Sequence, residues 1–271
     1  MNGNELHALL KSAQYDFEGR FDERWALEWM QENCYKSFVF CGLYAAFVFA
    51  GQHLMRERPK LNLRRPLVLW SLSLAVFSIV GALRTGFYML HMIRTAGFRD
   101  SVCDNVFYSA PITKLWAYAF TLSKAPELGD TVFIVLRKQR LIFLHWYHHI
   151  TVLLYSWFSY RDQVAGGGWF MTMNYTVHAF MYSYYAAKAA GLRVPRPCAM
   201  VITAAQILQM AMGLTVLGLV HRWMDQDRCQ TTMENIAWGS LMYLSYLILF
   251  ALFFYDAYLK GSPKGKGSKS E

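Results

Sequence analysis

The sequence is poor in charged residues, and this scarcity narrows the class of protein. Charged side chains make up only 17% of its 271 residues, whereas 55% are hydrophobic and 17% are aromatic. Length alone would permit one or two soluble domains. The apolar residues instead stand in seven long blocks, each able to span a bilayer at about 1.5 Å of helical rise per residue. We therefore predict an all-α membrane protein with seven transmembrane helices, which begin near residues 37, 66, 115, 141, 169, 199 and 236.

Acidic residues are also few, with 18 Asp and Glu against 27 Lys and Arg and a formal net charge of +9. The basic residues are unevenly distributed across the predicted membrane. Loops on one side of it hold 15 Lys and Arg, and loops on the other side hold 8. The positive-inside rule then places the C-terminus in the cytosol and, with seven spans, the N-terminus on the other side. We expect no cleavable signal peptide, since residues 1–35 are polar and acidic. The predicted parts are this N-terminal segment, a seven-helix domain at 36–258, and a flexible basic tail at 259–271.

Only five cysteines are present, and two of them fall in loops predicted on the non-cytosolic side. In an oxidising compartment, Cys103 and Cys229 could form a disulfide that joins the loop before the third helix to the loop before the seventh. The alternative is a pair of free thiols.

Polar side chains interrupt four of the predicted spans, where ionisable groups are costly and usually functional. The third span contains "KAPELGDT", the fourth "HWYHH", the fifth "NYTVHAFMYSYY" and the sixth "TAAQILQ". The depth of each polar group can be counted along its helix from the predicted cytosolic end. By this count, all four motifs lie in one layer in the cytosolic half of the bilayer, and the rest of each helix is apolar. The pattern predicts a polar chamber open to the cytosol that ends in a narrow apolar tunnel. Such a cavity suits an amphiphile with a polar head and a long hydrocarbon tail.

Several of these residues also have structural interpretations. Thr203 and Gln209 could serve only as interhelical hydrogen-bond partners. Lys124 and its neighbouring carboxylates could form a structural ion network, and Pro126 is expected to kink the third helix. Arg84, in the second span, could pair with one of those carboxylates or cap a lipid-facing gap.

The histidines leave two kinds of chemistry open. Of eight histidines, four lie in the polar layer, namely His145, His148, His149 and His178. Two iron ions, as in a membrane oxidase or desaturase, need more ligands than four imidazoles supply, although a single metal remains possible on ligand count. Acyl transfer through an imidazole is the other chemistry. A seven-helix receptor or carrier without catalysis is a third reading.

The four motifs, in this order and spacing, resemble the signature motifs of the ELO family of very-long-chain fatty acid elongases. The resemblance runs over nearly the whole chain. "PLVLWSLSLAVFSIVGALRTG" and "AGGGWFMTMNY" look most like the vertebrate branch that extends palmitoyl-CoA and related saturated or monounsaturated chains. A sister branch that handles longer saturated chains stays open.

The resemblance implies an endoplasmic reticulum enzyme with six helices around a narrow acyl-chain tunnel. It would condense long-chain acyl-CoA with malonyl-CoA to give 3-oxoacyl-CoA, CoA and CO₂, with no metal and no further cofactor. The expected partners are these two CoA substrates, membrane lipid, and the ketoreductase, dehydratase and enoyl reductase of the elongation cycle. A homodimer is also open, and no nucleic acid is expected.

By motif position, the resemblance assigns roles to individual residues. His148 would accept the acyl group and His178 would act on malonyl-CoA, while His145 and His149 would orient the "HWYHH" motif. Lys124 and Asn174 would hold substrate oxygens, positioned by Glu127 and Asp130. Further candidate substrate contacts are Tyr182, Tyr185, Gln206, Gln209, Arg137 and Lys138. Because acylation needs a neutral imidazole, we expect the second ring nitrogen of His148 to be hydrogen-bonded.

Overall fold

The computed structural model describes residues 10–224 and 229–260, and all regular structure within these ranges is helical. This confirms the predicted all-α class. The long helices start close to the predicted positions. They are α1 (Lys36–Leu54), α2 (Arg64–Thr95), α3a (Lys114–Glu127), α3b (Gly129–Leu136), α4 (Phe143–Arg161), α5 (Gly167–Ala190), α6 (Arg196–Trp223) and α7 (Met233–Phe254). Shorter helices are Asp16–Gly19, Glu23–Asn33 and Phe98–Val102, with a 3₁₀ turn at Val106–Tyr108 and a π turn at Tyr255–Leu259. Most of the predicted basic tail lies outside the described residues.

Four helices within the described ranges are long and apolar enough to cross a membrane. They are α1, α2, α6 and the segment Met233–Leu259, which includes α7. The others are shorter or carry more polar groups: α3 is divided in two, and α4 and α5 hold the histidine-containing motifs. The chain is therefore a membrane protein.

The division of α3 follows from its proline. Pro126 has no amide hydrogen, and its ring disfavours a regular turn with the residues before it. The helix ends at Glu127 and resumes at Gly129, with the Leu128 amide bonded to the carbonyl of Ala125 at 3.2 Å. The kink predicted at Pro126 thus appears as a break two residues later, between the two halves of one polar motif.

Six of the long helices pack in a closed ring. α2 lies along α5, α5 contacts α6, α6 lies along α7, α7 contacts α4, α4 contacts α3a, and α3a returns to α2. α1 stands outside this ring against α4 and α3b. Glycines allow two of the close approaches: Gly81 on α2 receives the ring of Tyr175, and Gly213 on α6 receives the ring of Tyr243. The ring leaves space at its centre for a cavity.

One end of the ring is fastened by a covalent bond. A disulfide joins Cys103, after α2, to Cys229, before α7, with their Cα atoms 4.4 Å apart. Close to this end, the Asn105 side-chain amide donates to the carbonyl of Gln163, which follows α4. The loops that precede α3, α5 and α7 are therefore tied together.

Arg84 does not have either of the roles expected for it. Its guanidinium pairs with Glu18 of the N-terminal segment, at 2.8 Å from Nε to Oε1 and 2.5 Å from Nη2 to Oε2. Trp116 Nε1 also donates to Glu18, which is fully buried. Asp130 contacts Trp70, which lies 14 residues before Arg84 on the same helix, or about 21 Å along its axis. Arg84 is thus too far along α2 to reach the carboxylate of Asp130.

Candidate active site

A cavity of about 340 Å³ lies inside the ring and is lined by residues of α3, α4, α5, α6 and α7. Most of the predicted site residues form its wall. Those that line it are Glu127, Asp130, His145, His148, His149, Asn174, His178, Tyr182, Tyr185, Gln206 and Gln209. The four motifs, which contribute wall residues from Glu127 to Gln209, therefore meet around one space.

Three predicted site residues are not part of this wall. The side chain of Lys124 lies behind it and is only 2% exposed. Arg137 and Lys138 follow α3b and do not line the cavity. The ammonium of Lys138 is held elsewhere, by the carbonyl oxygens of Arg56 and Arg58 at 2.9 and 3.1 Å. The structure thus gives these two basic side chains no direct place at the cavity.

Lys124, Glu127 and Asn174 form a buried polar network at the side of the cavity. Lys124 Nζ donates to Glu127 Oε1 at 2.8 Å and to Asn174 Oδ1 at 3.2 Å. Ser123 Oγ donates to the same carboxylate at 2.7 Å. The ammonium also lies 4.2 Å from the centre of the Phe120 ring. Charged and polar groups at this depth need such partners, because no water replaces them.

This network also defines the proton arrangement of His178. The Oδ1 atom of Asn174 accepts from Lys124, so its Nδ2 group faces His178 Nε2, at 3.3 Å. A donating amide requires Nε2 to be an acceptor, which leaves the ring hydrogen on Nδ1. Nδ1 faces Glu127 Oε2 at 3.8 Å. A neutral imidazole is thus oriented by an amide on one side and a carboxylate on the other.

Asp130 is held by two donors from different helices. Trp70 Nε1 donates to Oδ1 at 2.6 Å, and Tyr182 Oη donates to Oδ2 at 2.8 Å. Tyr182 is itself fully buried, with its ring 5.3 Å from that of His178. Asp130 therefore fixes the position of Tyr182 beside His178 and ties α2, α3b and α5 together.

The three histidines of α4 have different surroundings. His145 Nε2 lies 3.0 Å from Thr131 Oγ1, which in turn lies 2.7 Å from Tyr44 Oη on α1. The ring of His149 lies at an angle to both neighbours, with its centre 4.5 Å from that of His145 and 5.6 Å from that of His148. His145 is thus anchored to α1 through a hydroxyl chain, and His149 packs between His145 and His148.

His148 differs from the expectation in one respect. Among the described residues, neither of its ring nitrogens has a hydrogen-bond partner, so the predicted acceptor on its second nitrogen is not there. The hydroxyl of Tyr246, whose ring centre lies 4.9 Å from that of His148, donates to the backbone carbonyl of His148 at 3.2 Å. The imidazole therefore faces the cavity without being committed to a protein partner.

A second, smaller cavity of about 50 Å³ continues beyond His148. It shares His148, Asn174, Gln209 and Met210 with the larger cavity. Its other walls are mainly apolar and aromatic, and its far end is lined by Tyr108, Val164, Gly167 and Phe170. Tyr108 is fully buried and its hydroxyl bonds the carbonyl of Val164. A polar chamber is thus joined at His148 to a narrow apolar extension.

The arrangement offers no evident metal site. Within residues 10–224 and 229–260, no three His, Cys, Asp or Glu side chains converge so as to hold a metal ion. The carboxylates closest to the histidines are engaged by Lys124, Trp70 and Tyr182. The donor atoms of this site are therefore arranged for hydrogen bonding.

Several contacts of the site were not foreseen from the sequence. Trp70 comes from α2, Tyr44 from α1 and Tyr246 from α7, and none of these spans carries one of the four motifs. The sequence signal for Tyr246 is its position next to Ser245 within the predicted seventh span. Trp70 and Tyr44 have no comparable signal, because aromatic residues are frequent throughout the chain.

Comparison with known proteins agrees with this site. Residues 29–266 match the model of the ELO: GNS1/SUR4 family. Very long chain fatty acid elongase 6 of Mus musculus is 64% identical over 97% of this chain and 99% of its own length. The Homo sapiens protein of the same name is 65% identical over 93% of this chain and 95% of its own. Very long chain fatty acid elongase 3 of Mus musculus is 46% identical over 95% of this chain and 93% of its own length. The resemblance seen in the four motifs is thereby confirmed, and the chain belongs to the ELO family.

Proposed function

We propose that this protein is a fatty acid elongase, a 3-oxoacyl-CoA synthase that condenses a long-chain acyl-CoA with malonyl-CoA. The observation that carries the proposal is the position of His148, where a polar chamber meets an apolar extension inside one ring of helices. A thioester can reach the imidazole from the chamber while its hydrocarbon tail lies in the extension. Palmitoyl-type chains, saturated or monounsaturated, are the substrates that the sequence resemblance implies, with longer saturated chains as the alternative.

The first step is transfer of the acyl group to His148. A neutral ring nitrogen attacks the thioester carbon, a C–N bond forms, the C–S bond breaks, and CoA leaves as the thiol with the proton released by the imidazole. The covalent intermediate divides one difficult reaction into two easier ones. The absence of a protein partner on the ring nitrogens, within the described residues, leaves this imidazole available for attack.

The second step takes place beside His178 and Asn174. Malonyl-CoA loses CO₂, and its α-carbon bonds to the acyl carbon while the C–N bond to His148 breaks and the leaving imidazole nitrogen takes up one proton from water. The enolate that forms on decarboxylation carries negative charge on its thioester oxygen, and donors preorganised at that oxygen stabilise the transition state. The amide of Asn174 is the donor placed at this oxygen, and the neutral imidazole of His178, held by Asn174 and Glu127, is placed to assist the decarboxylation.

The membrane arrangement that fits this function has seven spans. α2 to α7 would form the catalytic ring and α1 would lie outside it, with residues 1–35 in the lumen of the endoplasmic reticulum and the tail in the cytosol. The basic loops would then surround the chamber entrance and attract CoA phosphates. The reaction needs no metal or other cofactor. The product would pass to the ketoreductase, dehydratase and enoyl reductase of the same membrane, and the elongase could act as a homodimer.

The experiment that tests the proposal separates the two steps. The purified protein is incubated with palmitoyl-CoA alone, and its intact mass is measured. We expect a gain equal to one palmitoyl group, which disappears on adding malonyl-CoA as 3-oxostearoyl-CoA is released.

In the His148→Ala variant the mass gain should be lost while the thermal unfolding profile is retained. An adduct that persists in this variant would refute His148 as the acyl acceptor. A stoichiometric metal that is needed for activity would favour the lipid oxidase instead, and ligand binding without any turnover would favour a receptor or carrier.

A further inference from the structure

A third cavity, of about 620 Å³, lies between α1, α4 and α7. Because α1 stands outside the six-helix ring, this cavity is a groove on the outer surface of the ring. Phe38, Trp238 and Leu241 line it, and each is more than half exposed. In a membrane protein, exposed side chains of this kind face hydrocarbon. The groove is therefore accessible to an alkyl chain from the membrane.

Only a thin wall separates this groove from the small cavity beyond His148. Among the described residues, Tyr155 of α4 and Met242 of α7 are the two that line both. Gly239 of α7 contributes no side chain here, and a Cβ atom at that position would collide with the Tyr155 hydroxyl. At this point, the side chains of Tyr155 and Met242 thus separate the interior cavity from the groove.

The seam between α4 and α7 is held by hydrogen bonds. Four side chains on one face of α4, spaced by four residues, meet α7. The pairs are Tyr147 with Ser245 at 3.0 Å, Thr151 with Tyr246, Tyr155 with Asn235 at 2.9 Å, and Ser159 with Asn235 at 3.0 Å. Interhelical hydrogen bonds of this kind in membranes are individually weak. A seam built from them can open and close reversibly.

The volumes favour this seam as the wall that moves. The cavity beyond His148 measures about 50 Å³, which is room for only a few water molecules. A long acyl tail cannot enter unless a wall moves. The far end is tied by the bond from Tyr108 to Val164 and by the Cys103–Cys229 disulfide. The α4–α7 wall, in contrast, has a large empty groove directly behind it.

We propose that the α4–α7 seam is a lateral gate and that the groove outside it binds the hydrocarbon tail of the acyl substrate or product. The inference rests on the proposed function, which supplies the acyl chain. With the gate open, the tail lies in the groove while the thioester is at His148. Rotation of Tyr155 and Met242 then admits the tail to the interior or releases it to the membrane.

Photolabelling with a palmitoyl-CoA analogue that carries a diazirine on its terminal carbon tests this gate. The analogue is added to the full-length protein in lipid nanodiscs, and labelled peptides are mapped by mass spectrometry. We expect label on Leu154, Trp238 or Leu241 in the groove as well as on residues of the interior cavity. Excess palmitoyl-CoA should remove both, because both come from bound substrate.

Two variants at the wall make the test specific. Tyr155→Ala should raise the share of groove label several-fold, and Tyr155→Phe, which only loses the bond to Asn235, should raise it less. Leu252→Ala, at an exposed position of α7 outside the groove, serves as the matched control and should change nothing.

Label confined to interior residues in all of these proteins would overturn the gate. Groove label that palmitoyl-CoA does not compete away, but added phospholipid does, would assign the groove to bulk lipid and also overturn it. A crosslinked dimer through Trp238 would assign it to a second copy, with the same consequence. Failure of the proposed function is recognised separately, because the protein would then gain no acyl mass from unlabelled palmitoyl-CoA.

Discussion

Lys124 and Glu127 form an ion pair within a single turn of α3a, one residue before the helix breaks. The ammonium lies 2.8 and 3.1 Å from the two carboxylate oxygens, and the side chains are only 2% and 4% exposed. Burying both charges is costly, and their attraction offsets that cost only while the pair is intact. Because Asn174 and His178 are oriented by the same two groups, the pair connects the stability of the ring to the geometry of the site.

We expect Glu127→Gln to destabilise the protein by about 3 to 5 kcal/mol, since it leaves a buried ammonium without its counterion. The double variant Lys124→Met/Glu127→Leu should unfold at a higher temperature than either single variant, although it remains inactive. Thermal unfolding in one detergent measures both effects. The exposed ion pair of Lys260 and Asp256 is the control. Lys260→Met should lower the free energy of unfolding by less than about 1 kcal/mol. If Glu127→Gln unfolds at the same temperature as the wild type, the ion pair does not stabilise the helix ring.

The division of labour between His148 and His178 gives a second prediction. His178→Gln should still gain a palmitoyl group from palmitoyl-CoA, because the acyl acceptor is unchanged. The rate at which 3-oxostearoyl-CoA is released should fall by a factor of roughly 10² to 10⁴, which is the usual contribution of a positioned acid–base group to the rate. Intact mass and product chromatography on the same sample measure the two steps. His221→Gln, at an exposed position on α6, is the control; loss of the acyl adduct in His178→Gln would contradict this assignment.

The sequence predicted the parts of the site that depend on spacing along single helices. His145, His148 and His149 share a face because three and four residues make about one turn. Lys124 and Glu127 are three apart for the same reason, and they pair in the structure. The depth of each motif in its span was enough to place all four around one chamber.

Contacts between distant helices could not be predicted in this way. Trp70 reaches Asp130 across 60 residues, and Tyr44 reaches Thr131 across 87. Both depend on which helices become neighbours and on how each is rotated, and an apolar helix shows no stripe that would reveal its orientation. Arg84 was misassigned for the same reason, since its partner comes from the N-terminal segment.

The Arg84–Glu18 pair leads to a third prediction, about stability at the end of the ring. Arg84→Met leaves a fully buried carboxylate and should lower the free energy of unfolding by about 3 to 5 kcal/mol. Arg84→Met/Glu18→Leu should recover part of this loss, because neither charge is then buried alone. Thermal unfolding checks it, with Arg94→Met, an exposed arginine of the same helix, as the control. A double variant no more stable than Arg84→Met would mean that the loss does not come from the Glu18 charge.

The far end of the small cavity should set the length of the acyl chain that is accepted. Phe170 lines this end, and its ring packs 5.3 Å from that of Tyr243. Phe170→Ala removes the ring and should shift the preferred acyl-CoA towards longer chains. If two further methylenes are buried at about 0.8 kcal/mol each, the longer substrate gains roughly 15-fold relative to wild type.

Gly167 provides the opposite change at the same place. A Cβ atom there would collide with the hydroxyl of Tyr108, so Gly167→Ala should push that ring into the cavity and favour shorter chains. Phe180→Ala, exposed on the outside of the same helix, is the control. The measurement is the relative rate for a ladder of acyl-CoA chain lengths with malonyl-CoA. Because the two substitutions act on one wall in opposite senses, shifts of the same sign would indicate general loosening of the helix. Opposite shifts would identify this wall as the physical limit on chain length.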